Sequence, residues 1–119
     1  MGRPVTHWQI LAKNPDALTD FYCKLFDWTV DSSNPLGYRE VSTGSDRGIS
    51  GGVWPSPPGG DSRVQIFVEV DDVPGYVERA KGLGATLVIP PQKLPCGDEM
   101  AMVLDPEGLS LGIWRKGGR

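Results

Sequence analysis

The sequence is poor in the residues that most often carry metal and redox chemistry: it has 1 histidine, His7, and 2 cysteines, Cys23 and Cys96. Two cysteines so far apart make neither a disulfide framework nor a thiolate metal site, so both are expected as reduced thiols. No apolar run approaches the roughly 20 residues that a membrane-spanning helix needs, and Met1, Gly2, Arg3 and Pro4 do not open a signal peptide. A cytoplasmic location is therefore expected. Net charge is small, with 12 Lys and Arg against 15 Asp and Glu for a net charge of −3. The basic residues scatter, apart from Arg115, Lys116 and Arg119 near the C-terminus, so neither a nucleic-acid surface nor a membrane surface is expected.

What remains is the composition of an ordinary globular protein, and 119 residues suit one domain with a real core. Val5, His7, Gln9 and Leu11 alternate with Thr6, Trp8, Ile10 and Ala12, the pattern of a strand with one mixed-polar and one mostly apolar face. Asn14 then offers an N-cap with Pro15 at the first helical position. Leu18, Phe21, Tyr22 and Leu25 follow at helical spacing as the expected buried stripe, and Trp8, like Phe21, is expected to pack under the helix. Trp28 to Asp31, Gly37 to Thr43 and Ile49 to Trp54 read as three short strands.

The prolines and glycines of residues 55–62 suit neither helix nor sheet and predict a connector. Beyond it the order repeats. Val64, Ile66, Val68 and Val70 alternate with Gln65, Phe67 and Glu69, and Asp72 caps a helix with a stripe of Val73, Tyr76, Val77, Ala80 and Leu83. Ala85 to Ile89, Glu99 to Leu104 and Leu109 to Trp114 supply three more strands, with Asp105, Pro106, Glu107 and Gly108 as the turn into the last. Sliding the sequence along itself until His7 meets Gln65 also brings Asn14 onto Asp72, Leu18 onto Tyr76, Leu25 onto Leu83 and Val30 onto Val88. The expected fold is α+β: two β-α-β-β-β modules, about 4–54 and 63–115, joined by the 55–62 linker in a single domain around a concave sheet cavity. Strand parity places His7, Gln9, Gln65, Phe67, Glu69, Ser110, Gly112 and Trp114 on the faces turned toward that hollow, and Trp54 shares the parity of Gly52.

Those residues resemble the vicinal oxygen chelate superfamily, which includes glyoxalases, bleomycin-resistance proteins and extradiol dioxygenases. The likeness rests on the strand of His7, on Phe21 and Tyr22 followed by Leu25, Phe26, Asp27 and Trp28, on the Gly51 and Gly52 strand, on Val68 to Val73, and on Asp105 to Gly108. Enzymes of the superfamily hold a divalent metal with one residue from each first strand and one from each fourth strand. Carried over, the first-strand positions are His7 and Gln65. The carboxylate positions fall at Gly51 or Gly52 and at Gly112, which offer no side-chain donor. The resemblance therefore implies a member with no tightly bound metal. A surviving site would have to use His7, Gln65 and Glu69.

The leading expectation is a metal-free binder of a small, partly apolar molecule, held by His7, Gln9, Gln65, Phe67, Glu69, Trp54, Ser110, Gly112 and Trp114. The alternative is a lyase, isomerase or dioxygenase acting through His7 and Glu69, either with a depleted or weak metal site or by acid-base chemistry. A homodimer is what the resemblance implies for assembly. Cys96, between Pro95 and Gly97, is expected to be an ordinary loop cysteine.

Overall fold

The computed structural model describes residues 2–117, so Gly118 and Arg119 of the basic C-terminal cluster, like Met1, lie outside the described residues. The elements run β1 (Val5–Ala12), α1 (Pro15–Phe26), β2 (Thr29–Asp31), β3 (Arg39–Ser42), β4 (Gly51–Pro55), β5 (Arg63–Glu69), α2 (Val73–Gly82), β6 (Thr86–Lys93), β7 (Glu99–Leu104) and β8 (Ser110–Arg115). The fold is α+β, with the order β-α-β-β-β traversed twice. No helix among the described residues is long and apolar enough to cross a membrane. By internal contacts the chain forms two units, one of His7–Gln65 and one joining the residues up to Thr6 with those from Ile66 on.

In the His7–Gln65 unit the strands lie in the order β2-β3-β4-β1, antiparallel except for the parallel pair of β1 and β4. The α1 helix starts where the Asn14 side chain accepts a hydrogen bond from Ala17 N, with Pro15 at its first position, and it stops at Asp27 in the left-handed conformation. It covers the sheet face of Trp8, Ile10, Val41 and Val53 with Leu18 and Tyr22, and Trp28 joins the cluster. The expected stripe is corrected at two positions, because Phe21 and Leu25 are 55% and 57% exposed. The buried line of α1 runs instead through Leu18, Thr19 and Tyr22, and the helical period carries Phe21 and Leu25 onto its flank. Phe21 does not pack under the helix as Trp8 does; it meets Tyr22 edge-on, with ring centroids 5.2 Å apart.

In the other unit the order is β5-β8-β7-β6, with β5 and β8 parallel and the remaining pairs antiparallel. Asp72 accepts from Gly75 N to cap α2, and Val73 and Val77 are buried with Val70, Ala101, Val103 and Ile113. Leu83, expected in the α2 stripe, is 76% exposed, because it is the C-cap residue, past the last turn that faces the sheet. β6 runs four residues beyond its expected end, through Pro90 and Pro91 to Lys93. It lies at the edge of the strand order, and its register against β7 shifts on either side of Ile89. An edge strand with an irregular ladder tolerates residues that have no amide hydrogen to donate.

Candidate functional site

Strand alternation separates the two faces of the His7–Gln65 unit. Trp8, Ile10 and Ala12 point to α1, so His7, Gln9 and Leu11 point the other way. The parallel register sets Gln9 opposite Gly52 and Leu11 opposite Trp54, while the antiparallel register sets Glu40 opposite Gly52. Of the two glycines, Gly52 is therefore the one on the polar face. Gly51 faces the helix, where an added Cβ would fall 2.2 Å from the Trp8 ring.

Tyr38 completes this face, and the sequence reading did not single it out. Just before β3, Asn34 grips it by both backbone groups: Tyr38 N donates to Asn34 Oδ1 over 2.8 Å, and Asn34 Nδ2 donates to Tyr38 O over 2.7 Å. Gly37, with φ of 66°, makes the turn between them. The ring then lies across Gly52, where a Cβ would stand 2.1 Å from the phenol oxygen. Asn34, Pro35, Leu36 and Gly37 in front of an aromatic residue were the signal available in the sequence.

A chain of hydrogen bonds ties the face together. His7 Nε2 lies 3.1 Å from Tyr38 Oη, Tyr38 Oη donates to Gln9 Oε1 over 2.9 Å, and Gln9 Nε2 donates to Gln65 Oε1 over 2.8 Å. Gln65 is one of two buried polar side chains among the described residues, at 4% exposure. Trp54 flanks the chain, its ring centroid 5.9 Å from that of Tyr38. Burial, and secondarily the charge of Glu40, raises the Tyr38 pKa well above the ordinary tyrosine value. The phenol stays neutral, and the arrangement can orient a neutral polar group beside an aromatic surface.

The remaining predicted residues belong to the other unit. The β5–β8 register sets Phe67 opposite Gly112 and Glu69 opposite Trp114. The Phe67 ring covers Gly112 as Tyr38 covers Gly52, since a Cβ on Gly112 would lie 2.5 Å from Phe67 Cδ2. Met102 is paired with Gly112 on the other side and is buried. Trp114 Nε1 donates to Thr6 Oγ1 over 3.2 Å, Glu69 N donates to Pro4 O, and Ser110 is half-buried opposite Leu104. Cys96 is exposed in its loop.

The divalent metal implied by the resemblance does not fit these residues. Both positions where carboxylates would stand are glycines roofed by aromatic rings, Gly52 by Tyr38 and Gly112 by Phe67. His7 Nε2 and Gln65 Oε1, two members of the fallback set with Glu69, take part in the hydrogen-bond chain. No group of three or more His, Cys, Asp and Glu suited to a metal occurs among the described residues. An apolar crevice under α1, lined by Trp8, Ile10, Thr19, Tyr22, Cys23, Trp28, Val41 and Val53, has no room for a water molecule and is part of the core.

Comparison with known proteins identifies the family and the fold. Residues 8–113 match the family model described as a glyoxalase-like domain. The chain is 26% identical over 107 residues to "Putative glyoxylase CFP32" of Mycobacterium tuberculosis, a match covering 83% of this chain and 40% of the relative. It is 28% identical over 124 residues to the anthracycline biosynthesis protein DnrV of Streptomyces peucetius, covering 87% of this chain and 44% of that one. The matched region is thus less than half the length of either curated relative. Among solved structures, a glyoxalase/bleomycin resistance protein/dioxygenase superfamily member from Vibrio splendidus superposes with a TM-score of 0.62 at 13% identity, covering 96% of this chain and 98% of that one.

Proposed function

The chain belongs to the glyoxalase-like family of the vicinal oxygen chelate superfamily, and we propose that it binds a small, partly apolar molecule on the sheet face of His7, Gln9, Tyr38, Trp54 and Gln65 without a divalent metal. The observation that carries this reading is the hydrogen-bond chain from His7 to Gln65, a set of neutral donors and acceptors held beside Trp54. Polar side chains on the helix-free face of a sheet are costly to bury unless satisfied, and here they satisfy one another. A ligand on this face meets oriented dipoles and an indole surface, which favours a neutral, flat molecule with one polar edge. The naming of DnrV for anthracycline biosynthesis supports an aromatic ligand class. Phe67, Glu69, Ser110, Gly112 and Trp114 are proposed as ligand-binding residues of the second unit taken by itself, and a cytoplasmic homodimer is the proposed form of the protein.

Catalysis through His7 and Glu69 is the competing reading, and the name of CFP32 as a glyoxylase supports it. Binding is preferred because the polar face is organised as a chain of mutually satisfied hydrogen bonds beside Trp54. The test is a thermal-shift screen of flat phenols, quinones and aromatic amides, with and without added zinc or manganese. Binding predicts hits that raise the melting temperature equally in both conditions and are lost in Trp54→Ala. Hits that need the metal, or no hits in either condition, would sink the proposal.

A further inference from the structure

We propose that Glu40 is a specificity-determining residue that keeps anionic ligands off the helix-free face of the His7–Gln65 unit. The inference rests on the binding reading above and adds the charge class of the ligand, an uncharged molecule rather than a carboxylate or a phenolate.

The strand registers line up a row across the sheet of this unit: Asp31 on β2, Glu40 on β3, Gly52 on β4 and Gln9 on β1. Val41 is buried in the cluster under α1, so Glu40 beside it points to the opposite face, the one that carries Gln9. Continued past Arg39, the β3–β4 register brings Tyr38 opposite Trp54, and their ring centroids lie 5.9 Å apart. Glu40 is thus the next residue on the same face after the aromatic pair against which a flat ligand would lie. Its charge reaches that pair, since it adds to burial in raising the Tyr38 pKa.

On β2 and β3 the charged side chains of this face are both acidic. The basic residue of β3, Arg39, has the opposite parity and is spent on α1, where its Nε and Nη2 donate to Asp16 Oδ1 over 2.9 and 2.7 Å. Asp31 and Glu40 have no ion-pair partner among the described residues. Asp31 is turned onto Ser33, whose backbone N donates over 2.8 Å and whose hydroxyl also donates, and these bonds hold its carboxyl below the ordinary range. Arg63 has the parity of Gln65, but it stands on β5, three strands from Glu40 in the order β3-β4-β1-β5.

Carboxylates directly opposite one another on a sheet repel. A neutral ligand against Tyr38 and Trp54 adds nothing to that repulsion, whereas an anionic one brings a further negative charge next to Glu40. Juxtaposed like charges contribute little to a wanted ligand and penalise an unwanted one. At a partly exposed position the penalty is about tenfold in affinity at low salt, and screening shrinks it as salt rises.

The experiment titrates 2-naphthamide and 2-naphthoate, which share a ring and differ in charge, at a pH where the acid is ionised and His7 is neutral. The expected wild-type result is an amide that binds about tenfold tighter than the acid at low salt. That ratio falls toward one in Glu40→Gln, which keeps the shape and removes the charge, and it falls in the wild type at high salt. The salt series needs no variant, so it decides the matter if Glu40→Gln does not fold. Equal affinities in the wild type overturn the inference. So does a ratio that salt and Glu40→Gln leave unchanged, because a preference of that kind comes from shape or hydrogen bonding. Amide binding without charge discrimination sinks this inference alone, and binding of neither probe sinks it together with the reading it rests on.

Discussion

The phenol oxygen of Tyr38 stands 2.1 Å from where the Cβ of any side chain at Gly52 would be. Glycine at 52 and tyrosine at 38 are thus a matched pair, the absent side chain making room for the ring. The same relation holds between Gly112 and Phe67 at 2.5 Å. In each half of the fold the position where the resemblance implies a carboxylate ligand is a glycine lying beneath an aromatic ring.

The first pair predicts a coupled stability effect. Gly52→Ala forces the Tyr38 ring away from its hydrogen bonds and is expected to cost about 1–3 kcal/mol, the range for overpacking a filled site. In a Tyr38→Ala background the same change has open space and should cost much less. Urea denaturation of the four proteins of the cycle measures the coupling, and strictly additive costs would break the link between the two residues.

The second pair behaves alike in the other unit. Phe67 is 6% exposed, so Phe67→Ala should destabilise by about 3–5 kcal/mol through the cavity it leaves. Gly112→Ala should be destabilising in the wild type and close to neutral once Phe67 is alanine. Thermal melts of the single and double variants check it.

Tyr38 also predicts a fall in stability at alkaline pH. Its folded pKa is raised above the ordinary value of 10.0, first by burial and then by Glu40. Between the two pKa values the unfolded chain has released the phenol proton and the folded chain has kept it. The unfolded state then binds fewer protons, and stability declines as pH rises above about 10. Tyr38→Phe should flatten that decline in denaturant titrations run across the alkaline range; an unchanged slope would contradict the buried, neutral phenol.

The helix caps give a local check on the fold. Asn14→Ala removes the acceptor for Ala17 N, and Asp72→Ala removes the one for Gly75 N. Each should cost about 0.5–2 kcal/mol, read from denaturation midpoints at unchanged slope.

These caps were legible in the sequence because capping is local: Asn14 before Pro15 and Asp72 before Val73 signal a helix start without reference to anything distant. β7, Glu99–Leu104, was equally plain from its composition. Phe21 and Leu25 were placed wrongly because helical spacing allows two adjacent stripes, and only the width of the sheet beneath decides which is covered. β6 was cut short at Pro90 because its place at the edge, where a missing donor is tolerated, is a fact of pairing across the chain. The parity of β1 separated His7 and Gln9 from Trp8, Ile10 and Ala12, which pack in the cluster under α1. Tyr38 was missed because its role depends on the register of β3 against β4 and on the turn set by Asn34, neither of which alternation along one strand reveals.

The most direct measurement is the metal content of the protein purified without chelator or added metal, by elemental analysis alongside protein concentration. Glycine floors roofed by Tyr38 and Phe67 predict zinc, nickel, iron and manganese all far below one ion per chain, and no rise in melting temperature when any of them is added. Near-stoichiometric metal that returns after removal and restores stability would contradict the account.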